Sequence, residues 1–377
     1  MPTILPFDII VQIIDAVGTE DTNLLKKLAL VSNCFHQICS EHLFATVELR
    51  RDANHKKRFV KLLKSRPDIA RYIRKLTVHI LKDDDMLSPF FRTISRINCL
   101  KINASYVEWN GINPSLASAF IHLMHLPTIN HIDLSYIRNF PISILTPSVN
   151  LLRLDLYIID PLEAETVVQS EMMPKIREFH IEESSLMTTK LLHAKLQDGQ
   201  PAFNFMDLRR LSTCLEDKQN VLYLTQNAKL LEELHLTVGW GESLLGLRDI
   251  LSPCTRTLKV LDLTVPIFFE EPLKGVCEEL EALAGNNILE ALSFEIEVCA
   301  DYDGIVDTIG SMIQNLEKVL VKPGWSALRR VSFKVLCRVI ETQYSAGLSK
   351  IQSLPDRYLS HLPKLKSITF SFSSYVV

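Results

Sequence analysis

The chain has 377 residues, of which 47% are hydrophobic and 23% are charged. This is the composition of an ordinary globular protein and excludes a disordered or fibrous chain. Lysine and arginine number 41 against 44 aspartates and glutamates, so the net charge of −3 does not indicate a general polyanion binder.

The chain carries no signal for export or for a membrane. The eight cysteines include no C-x-x-C pair, which is typical of free thiols in a reducing compartment. The first lysine, Lys26, follows four acidic residues, so no signal or transit peptide is expected. The longest uncharged stretch, 109–132, contains two prolines and is not a bilayer span. We therefore expect a cytoplasmic or nuclear protein with no membrane partner.

The pattern of residues 1–48 predicts three short helices and contains no strand pattern. Leu5-Pro6 opens the first helix and Gly18 ends it. Asp21 or Thr22 can cap the second, and Ser32 can cap the third. The apolar stripes expected for the three helices are Ile9, Ile13, Ile14 and Val17; Leu24, Leu25, Leu28 and Val31; and Phe35, Ile38 and Leu43. Such small helices bury little surface, so this module needs a partner or the following domain.

Residues 49–72 form a basic connection. The segment 50–75 has 11 lysines and arginines against two aspartates. Phe59, Val60, Leu62 and Leu63 predict a helix with one buried side. The charged side is either a solvated surface or a contact for an acidic partner, and the sequence leaves both open.

From residue 73 to 377 the chain repeats an apolar-x-x-apolar-x-apolar pattern. Its middle positions recur at intervals that average about 29 residues, near the length of a leucine-rich repeat. Chance matches in leucine-rich helices are the alternative, but alternation after most copies, as in 234–238, favours strands. The middle positions are Leu76, Leu100, Ile132, Leu154, Phe179, Leu211, Leu234, Leu261, Leu292, Val331 and Ile368. The fold predicted is an α/β solenoid of ten or eleven irregular repeats, with parallel strands inside and helices outside.

The N-terminal segment resembles a known motif. The run Leu5-Pro6-x-x-Ile9, Ile13-Ile14, Leu24-Leu25-x-x-Leu28-x-x-Val31-Ser32-x-x-Phe35 and Leu43-Phe44 is similar to an F-box, in the form common in fungal F-box/leucine-rich-repeat proteins. About 45 residues carry the resemblance, and a repeat array is the usual companion of that box. The frequent tryptophan near the third helix is Phe35 here, and a longer loop separates the first two helices.

The resemblance implies a function. The F-box docks on the Skp adaptor, and through it a cullin, in Skp–cullin–F-box ubiquitin ligases, while the repeats hold the substrate. The residues implied to face the adaptor or form the core of the box are Leu5, Pro6, Ile9, Ile13, Leu28, Val31 and Phe35. The chain would then be a non-catalytic substrate receptor. The alternatives are a plain helical cap on the array and a ubiquitin-independent scaffold that binds proteins.

Residues that alternate with the apolar positions should line the concave surface of the array. Among them we single out Asp133, Asp155, Tyr157, His180, Glu182, His235, Asp262 and Glu295 as candidate substrate contacts. Their carboxylates favour a target protein with a basic segment. The alternative is that such polar residues only keep an exposed surface soluble.

The candidate enzymatic and cofactor-binding motifs in the sequence do not match the patterns that such sites require. Cys34, His36, Cys39 and His42 point in different directions on one helix and cannot converge on zinc. The glycines of 239–246 fit neither a dinucleotide fingerprint nor a nucleophile elbow, which leaves a hydrolase built around Ser243 as a remote alternative. We expect no cofactor, no metal and no catalysis.

Overall fold

The computed structural model describes residues 7–18, 21–80, 84–163, 167–168, 173–239, 244–267, 275–298, 305–337, 351–359, 361–362 and 368–376. Their contacts divide the chain into two compact units. Unit 1 comprises Met1–Lys175 and Thr189–Phe203, and unit 2 comprises Ile176–Thr188 and Asn204–Val377. The fold is α/β with parallel strands, as predicted.

Unit 1 begins with three helices, α1 (Phe7–Gly18), α2 (Thr22–Leu28) and α3 (Asn33–Leu43). The predicted caps are confirmed. The Asp21 carboxylate accepts hydrogen bonds from the backbone amides of Asn23 and Leu24 at 2.8 and 3.0 Å. The Ser32 hydroxyl accepts one from the amide of Phe35 at 3.3 Å. These bonds satisfy amides that a helix start leaves unpaired.

The sheet of unit 1 has five parallel strands in chain order. They are β1 (Thr46–Leu49), β2 (Lys75–His79), β3 (Cys99–Glu108), β4 (His131–Phe140) and β5 (Arg153–Pro161). Between them lie α4 (Ala53–Ser65), α5 (Ser88–Phe91) and α6 (Pro114–Met124). A separate pair of strands, β6 (Val167–Val168) and β8 (Lys195–Leu196), is also parallel.

Helix α4 confirms the expected helix with one buried side, since Phe59, Val60 and Leu63 are buried. Strand β1 was not predicted: it starts at Thr46, so the sheet begins inside the segment 1–48 that the sequence assigned to the helical module.

The sheet of unit 2 has seven parallel strands. They are β7 (Glu178–Glu182), β9 (Arg210–Cys214), β10 (Glu233–Thr237), β11 (Val260–Ile267), β12 (Ala291–Val298), β13 (Arg330–Cys337) and β14 (Thr369–Val376). The helices are α8 (Lys218–Asn227), α9 (Leu247–Leu251), α10 (Val276–Leu283), α11 (Ile305–Leu320) and α12 (Leu354–Tyr358). Helix α7 (Ser185–His193) contains residues of both units.

The strand register follows the repeated apolar positions. In unit 1, Leu76, Leu100, Ile132 and Leu154 lie opposite one another on adjacent strands. The same holds in unit 2 for the positions listed from Phe179 to Val331. The predicted middle position of the last copy is wrong, because Phe370 and not Ile368 lies opposite Val331. Thr213, the weak third site of one copy, is buried at the position that Leu236 occupies on the next strand.

Alternation sets which side of each strand is buried. Burial of β2 and β10 alternates residue by residue, with the apolar positions inside. The residues between them are partly or fully exposed, apart from Asp155, which is 9% exposed. Each sheet therefore has one apolar face that belongs to the core and one polar face. Candidate binding residues lie on the polar faces.

Candidate functional site

The N-terminal helices close a core without using all of their apolar side chains. Ile14, Leu25, Ile38 and Cys39 are buried together, and the partly buried residues packed against them are Ile10, Val11, Val17, Leu28, Ala29, Phe35 and Leu43. Leu28 and Phe35, which the sequence assigned to the adaptor surface or the box core, are thus core residues. Leu5 and Pro6 lie outside the described residues.

The remaining apolar residues of this module face outward. Ile9 and Ile13 are 37% and 46% exposed, and Val31 is 64% exposed. Ile9 and Ile13 are one helical turn apart and share a side of α1, whereas Ile10, Ile14 and Val17 form its core side. Leu24 and Leu30 are exposed too. The described residues contain fifteen large exposed apolar side chains, and five of them lie in these helices and the turn before α3.

On the polar face of unit 1, an ionic network crosses three strands. Lys101 on β3 donates to the carboxylate of Asp133 on β4 at 2.8 Å. His131 on β4 contacts the carboxylate of Asp155 on β5 at 2.8 Å. Arg153 also donates to Asp155, at 3.0 Å. Each carboxylate has at least one cationic partner, so neither adds free negative charge to the surface.

The His131 imidazole is held in its charged form. Burial alone lowers the pKa of His131, but its hydrogen bonds to Asp155 and to the Cys99 sulfur raise that pKa to about 9. Burial raises the pKa of Asp155, yet His131 and Arg153 outweigh it and leave the pKa below its usual value. Cys99 Sγ lies 3.2 Å from His131 Nδ1, so both ring nitrogens have a partner.

This arrangement predicts a pH dependence. His131 has a higher pKa folded than unfolded, so its stabilising contribution is complete below the unfolded pKa of 6.5 and is lost as pH rises to about 9. We expect the free energy of unfolding of wild type to fall by about 1–3 kcal/mol across this range relative to His131→Gln. Urea titrations of both proteins at pH 6 and pH 9.5 measure the difference. Equal pH slopes in the two proteins contradict the assignment.

Beyond the ionic network, three tyrosines form a row across the same three strands. The rings of Tyr106 and Tyr136 have centroids 4.9 Å apart, and those of Tyr136 and Tyr157 are 5.0 Å apart, both edge to face. Tyr106 is 50% exposed and the other two are half-buried. We call Tyr106, Tyr136 and Tyr157 the tyrosine row. Of these three tyrosines, only Tyr157 was predicted from the sequence as a site residue.

The backbone under the tyrosine row is left-handed. Tyr106, Tyr136 and Ile158 have φ values of 67°, 59° and 51°. Each directly precedes one of the paired residues Val107, Ile137 and Ile159, so the three occupy the same place on adjacent strands. A bulky side chain at positive φ is a genuine outlier that costs about 1–3 kcal/mol. Such strain gathers at functional sites.

The polar face of unit 2 repeats the pairing seen in unit 1. His235 Nδ1 lies 2.7 Å from the Asp262 carboxylate, and this hydrogen bond raises the pKa of the imidazole. Lys334 lies 2.5 Å from the Glu295 carboxylate. His180 and Glu182, both on β7, are 3.7 Å apart. The register brings these candidate residues to one face, where each of these carboxylates has a basic side chain beside it.

These pairs alter the expectation of a basic target. Several of the carboxylates predicted from the sequence lie next to cations that were not among the predicted site residues. Lys101 and Lys334 reach them from neighbouring strands, and Arg153 lies on the same strand as Asp155. The sequence already indicates the pair of Lys101 and Asp133, because each of these residues directly follows a repeated apolar position. A target with a basic segment stays a prediction, without a surplus of unpaired carboxylates to support it.

One cluster of possible metal ligands occurs among the described residues. His131, Asp133 and Asp155 could face one metal ion by proximity alone. Lys101 and Arg153 already occupy the two carboxylates, and a protonated imidazole is not a ligand. In α3, His42 pairs with Asp15 and His36 approaches Arg66. Ser243, the nucleophile of the hydrolase alternative, lies outside the described residues.

Seven cysteines fall within the described residues, and all are free thiols, as expected. No described helix is long and apolar enough to cross a membrane. A comparison with protein-family models finds no match, and a comparison with curated proteins finds none either. Arguments about function therefore rest on this chain's own residues.

Proposed function

We propose that the chain is the non-catalytic substrate receptor of a Skp–cullin–F-box ubiquitin ligase. The three N-terminal helices act as an F-box that docks on the Skp adaptor. The parallel strands that follow act as an irregular leucine-rich-repeat solenoid that holds a target protein on its polar face. Catalysis is proximity: the target is kept near the ubiquitin-carrying enzyme of the assembly.

One observation carries the proposal. Helices α1–α3 have a closed core, yet they also expose Ile9, Ile13 and Val31, which the F-box resemblance assigns to the box. Exposed apolar side chains grouped on a small module favour a protein partner, because their burial gains about 25 cal/mol for each Å² removed from water. A module that served only as a cap has no need of a second apolar side on α1.

The strands support the receptor half of the proposal. The polar faces of the described strands carry paired charges, hydroxyls and aromatic rings. Paired charges on a parallel sheet offer hydrogen-bonding groups at a fixed spacing, which suits recognition of a protein surface.

The test is co-purification of the full chain with a Skp adaptor and cullin. We expect wild type to form the complex and Ile9→Asp/Ile13→Asp to bind at least about 100-fold more weakly, since two carboxylates would be buried unpaired. Leu230→Asp, at a similarly exposed residue of unit 2, is the matched control and should bind like wild type. Circular dichroism confirms that each variant is folded.

Two results overturn the proposal. One is a folded wild-type chain that forms no complex with the adaptor. The other is a double variant that binds as tightly as wild type. In either case the three helices are a cap and the chain is a protein-binding scaffold.

A further inference from the structure

The tyrosine row is an unusual surface for a sheet. Three rings from adjacent strands contact one another in sequence, and Tyr106 at one end is 50% exposed. A left-handed residue lies at the same place in each of the three strands, so a strained backbone shapes this part of the face. Such strain persists because the surrounding structure holds it, and in proteins it clusters at functional sites such as ligand clamps.

Two polar atoms beside the row reinforce this view. Asn103 Oδ1 and Ser105 Oγ, on the strand that carries Tyr106, are shielded from water. Neither has a hydrogen-bond partner among the described residues. Unsatisfied polar atoms in a folded protein call for an explanation, and a distorted segment built for recognition supplies one.

The surroundings restrict the chemistry of the ligand. The Arg138 guanidinium lies 5.7 Å from the centre of the Tyr106 ring and 3.8 Å from the Asp160 carboxylate. Arg138 already provides the cation for that aromatic face, so a basic segment is disfavoured there. In the adjoining network the carboxylates of Asp133 and Asp155 are paired with cations, so the network does not present a run of unpaired charges to a charged ligand. These surroundings favour a neutral ligand with flat apolar surfaces.

We propose that the tyrosine row binds a proline-rich segment in the polyproline II conformation. Centroid spacings of 4.9 and 5.0 Å give a row of at most about 10 Å. One turn of polyproline II contains three residues and rises about 9 Å, so prolines one turn apart match the two ends of the row. Pyrrolidine rings pack on aromatic faces, which is how aromatic-lined grooves bind such peptides.

Polyproline II also suits the hydrogen-bonding groups. Its carbonyl oxygens make no internal hydrogen bonds and point outward. The exposed Tyr106 hydroxyl and the Arg138 guanidinium can both donate to carbonyls of this kind. Because the conformation is already extended before binding, little conformational entropy is lost on the sheet.

The inference rests on the proposed function for its biological role, because it names the target class of the receptor. Binding itself needs no adaptor. The experiment therefore measures anisotropy of a labelled peptide of about ten prolines, one that spans the row with residues to spare, titrated with the full chain alone. Peptides of the same length made of glycine and serine, or of lysine, are the comparisons. Adaptor binding is measured separately on the same protein samples.

We expect saturable binding of the proline peptide only. Tyr136→Ala, at the centre of the row, and Tyr106→Ala, at its exposed end, should each weaken it about ten-fold or more. Tyr223→Ala removes a similarly exposed tyrosine of α8 in unit 2 and should leave the affinity unchanged. Since Tyr106 is half-exposed, its truncation is tolerated by the fold even if Tyr136→Ala is not.

The proposal is overturned if the folded wild-type chain does not bind the proline peptide. It is also overturned if the lysine or glycine–serine peptide binds as well, or if Tyr106→Ala retains full affinity. Any of these results combined with normal adaptor binding removes the tyrosine row as the target site and leaves the receptor function standing. If the wild-type chain does not bind the adaptor, the proposed function is overturned instead.

Discussion

Replacing Lys56 with methionine should lower the free energy of unfolding of unit 1 by about 3–5 kcal/mol. Lys56 lies on α4 and is fully buried. Its ammonium donates to the Asp84 carboxylate and, at 2.7 Å, to the backbone carbonyl of His79 at the end of β2. Methionine keeps the length of the side chain but leaves the Asp84 carboxylate buried without its cation. Urea denaturation followed by circular dichroism measures the loss.

Two control variants separate the ion pair from general damage to α4. Lys57→Met changes the neighbouring exposed lysine and should alter stability by less than about 0.5 kcal/mol. Lys56→Met/Asp84→Leu removes both charges and should recover most of the lost stability, since an apolar pair can replace a buried ion pair. If Lys56→Met costs no more than Lys57→Met, the buried pair does not stabilise unit 1.

Phe333→Ala should destabilise unit 2 by about 3–5 kcal/mol. Phe333 is fully buried on β13, with its ring stacked on Phe294 of β12 at 5.3 Å and tilted against Phe370 of β14 at 6.0 Å. Truncation leaves a cavity between two strands that cannot move together without breaking the register. Urea denaturation followed by tryptophan fluorescence measures the change, because Trp325 is buried in the same unit.

The adjacent Ser332 is the matched control for Phe333. Its side chain lies on the polar face, so Ser332→Ala should change stability by less than about 0.5 kcal/mol. A small loss for Phe333→Ala, similar to that of Ser332→Ala, contradicts the placement of the aromatic stack in the core.

The strands are well predicted from the sequence because the repeated apolar positions indicate both where each strand lies and how neighbouring strands align. An apolar residue at every second place defines one buried face, and the recurring positions from Leu76 to Val331 then align the strands. The prediction for the last copy is wrong by two residues. Ile368, Phe370 and Phe372 are alternately apolar, so the alternation fits either frame, while the full repeat pattern fits only the frame centred on Ile368, which the strand does not use. Strand β1 was missed because it precedes the first full copy of the repeat.

The candidate sites are less predictable, for three physical reasons. The left-handed backbone at Tyr106, Tyr136 and Ile158 occurs at residues that are neither glycine nor asparagine, so the residue types there do not predict a positive φ. Lys56 sits in a basic segment whose other lysines suggest a solvated surface. On α1, apolar residues on two sides leave open which side is core. The predicted stripe divides: Ile9 and Ile13 face outward, while Ile14 and Val17 face the core together with Ile10.

Hydrogen–deuterium exchange of the full chain, with and without a Skp adaptor, tests the central claim most directly. We predict slower exchange on adaptor binding in α1 around Ile9 and Ile13 and in the turn around Leu30 and Val31, with the strands of unit 2 unchanged. Unchanged exchange throughout α1–α3 at saturating adaptor would contradict the account. So would protection confined to the strands.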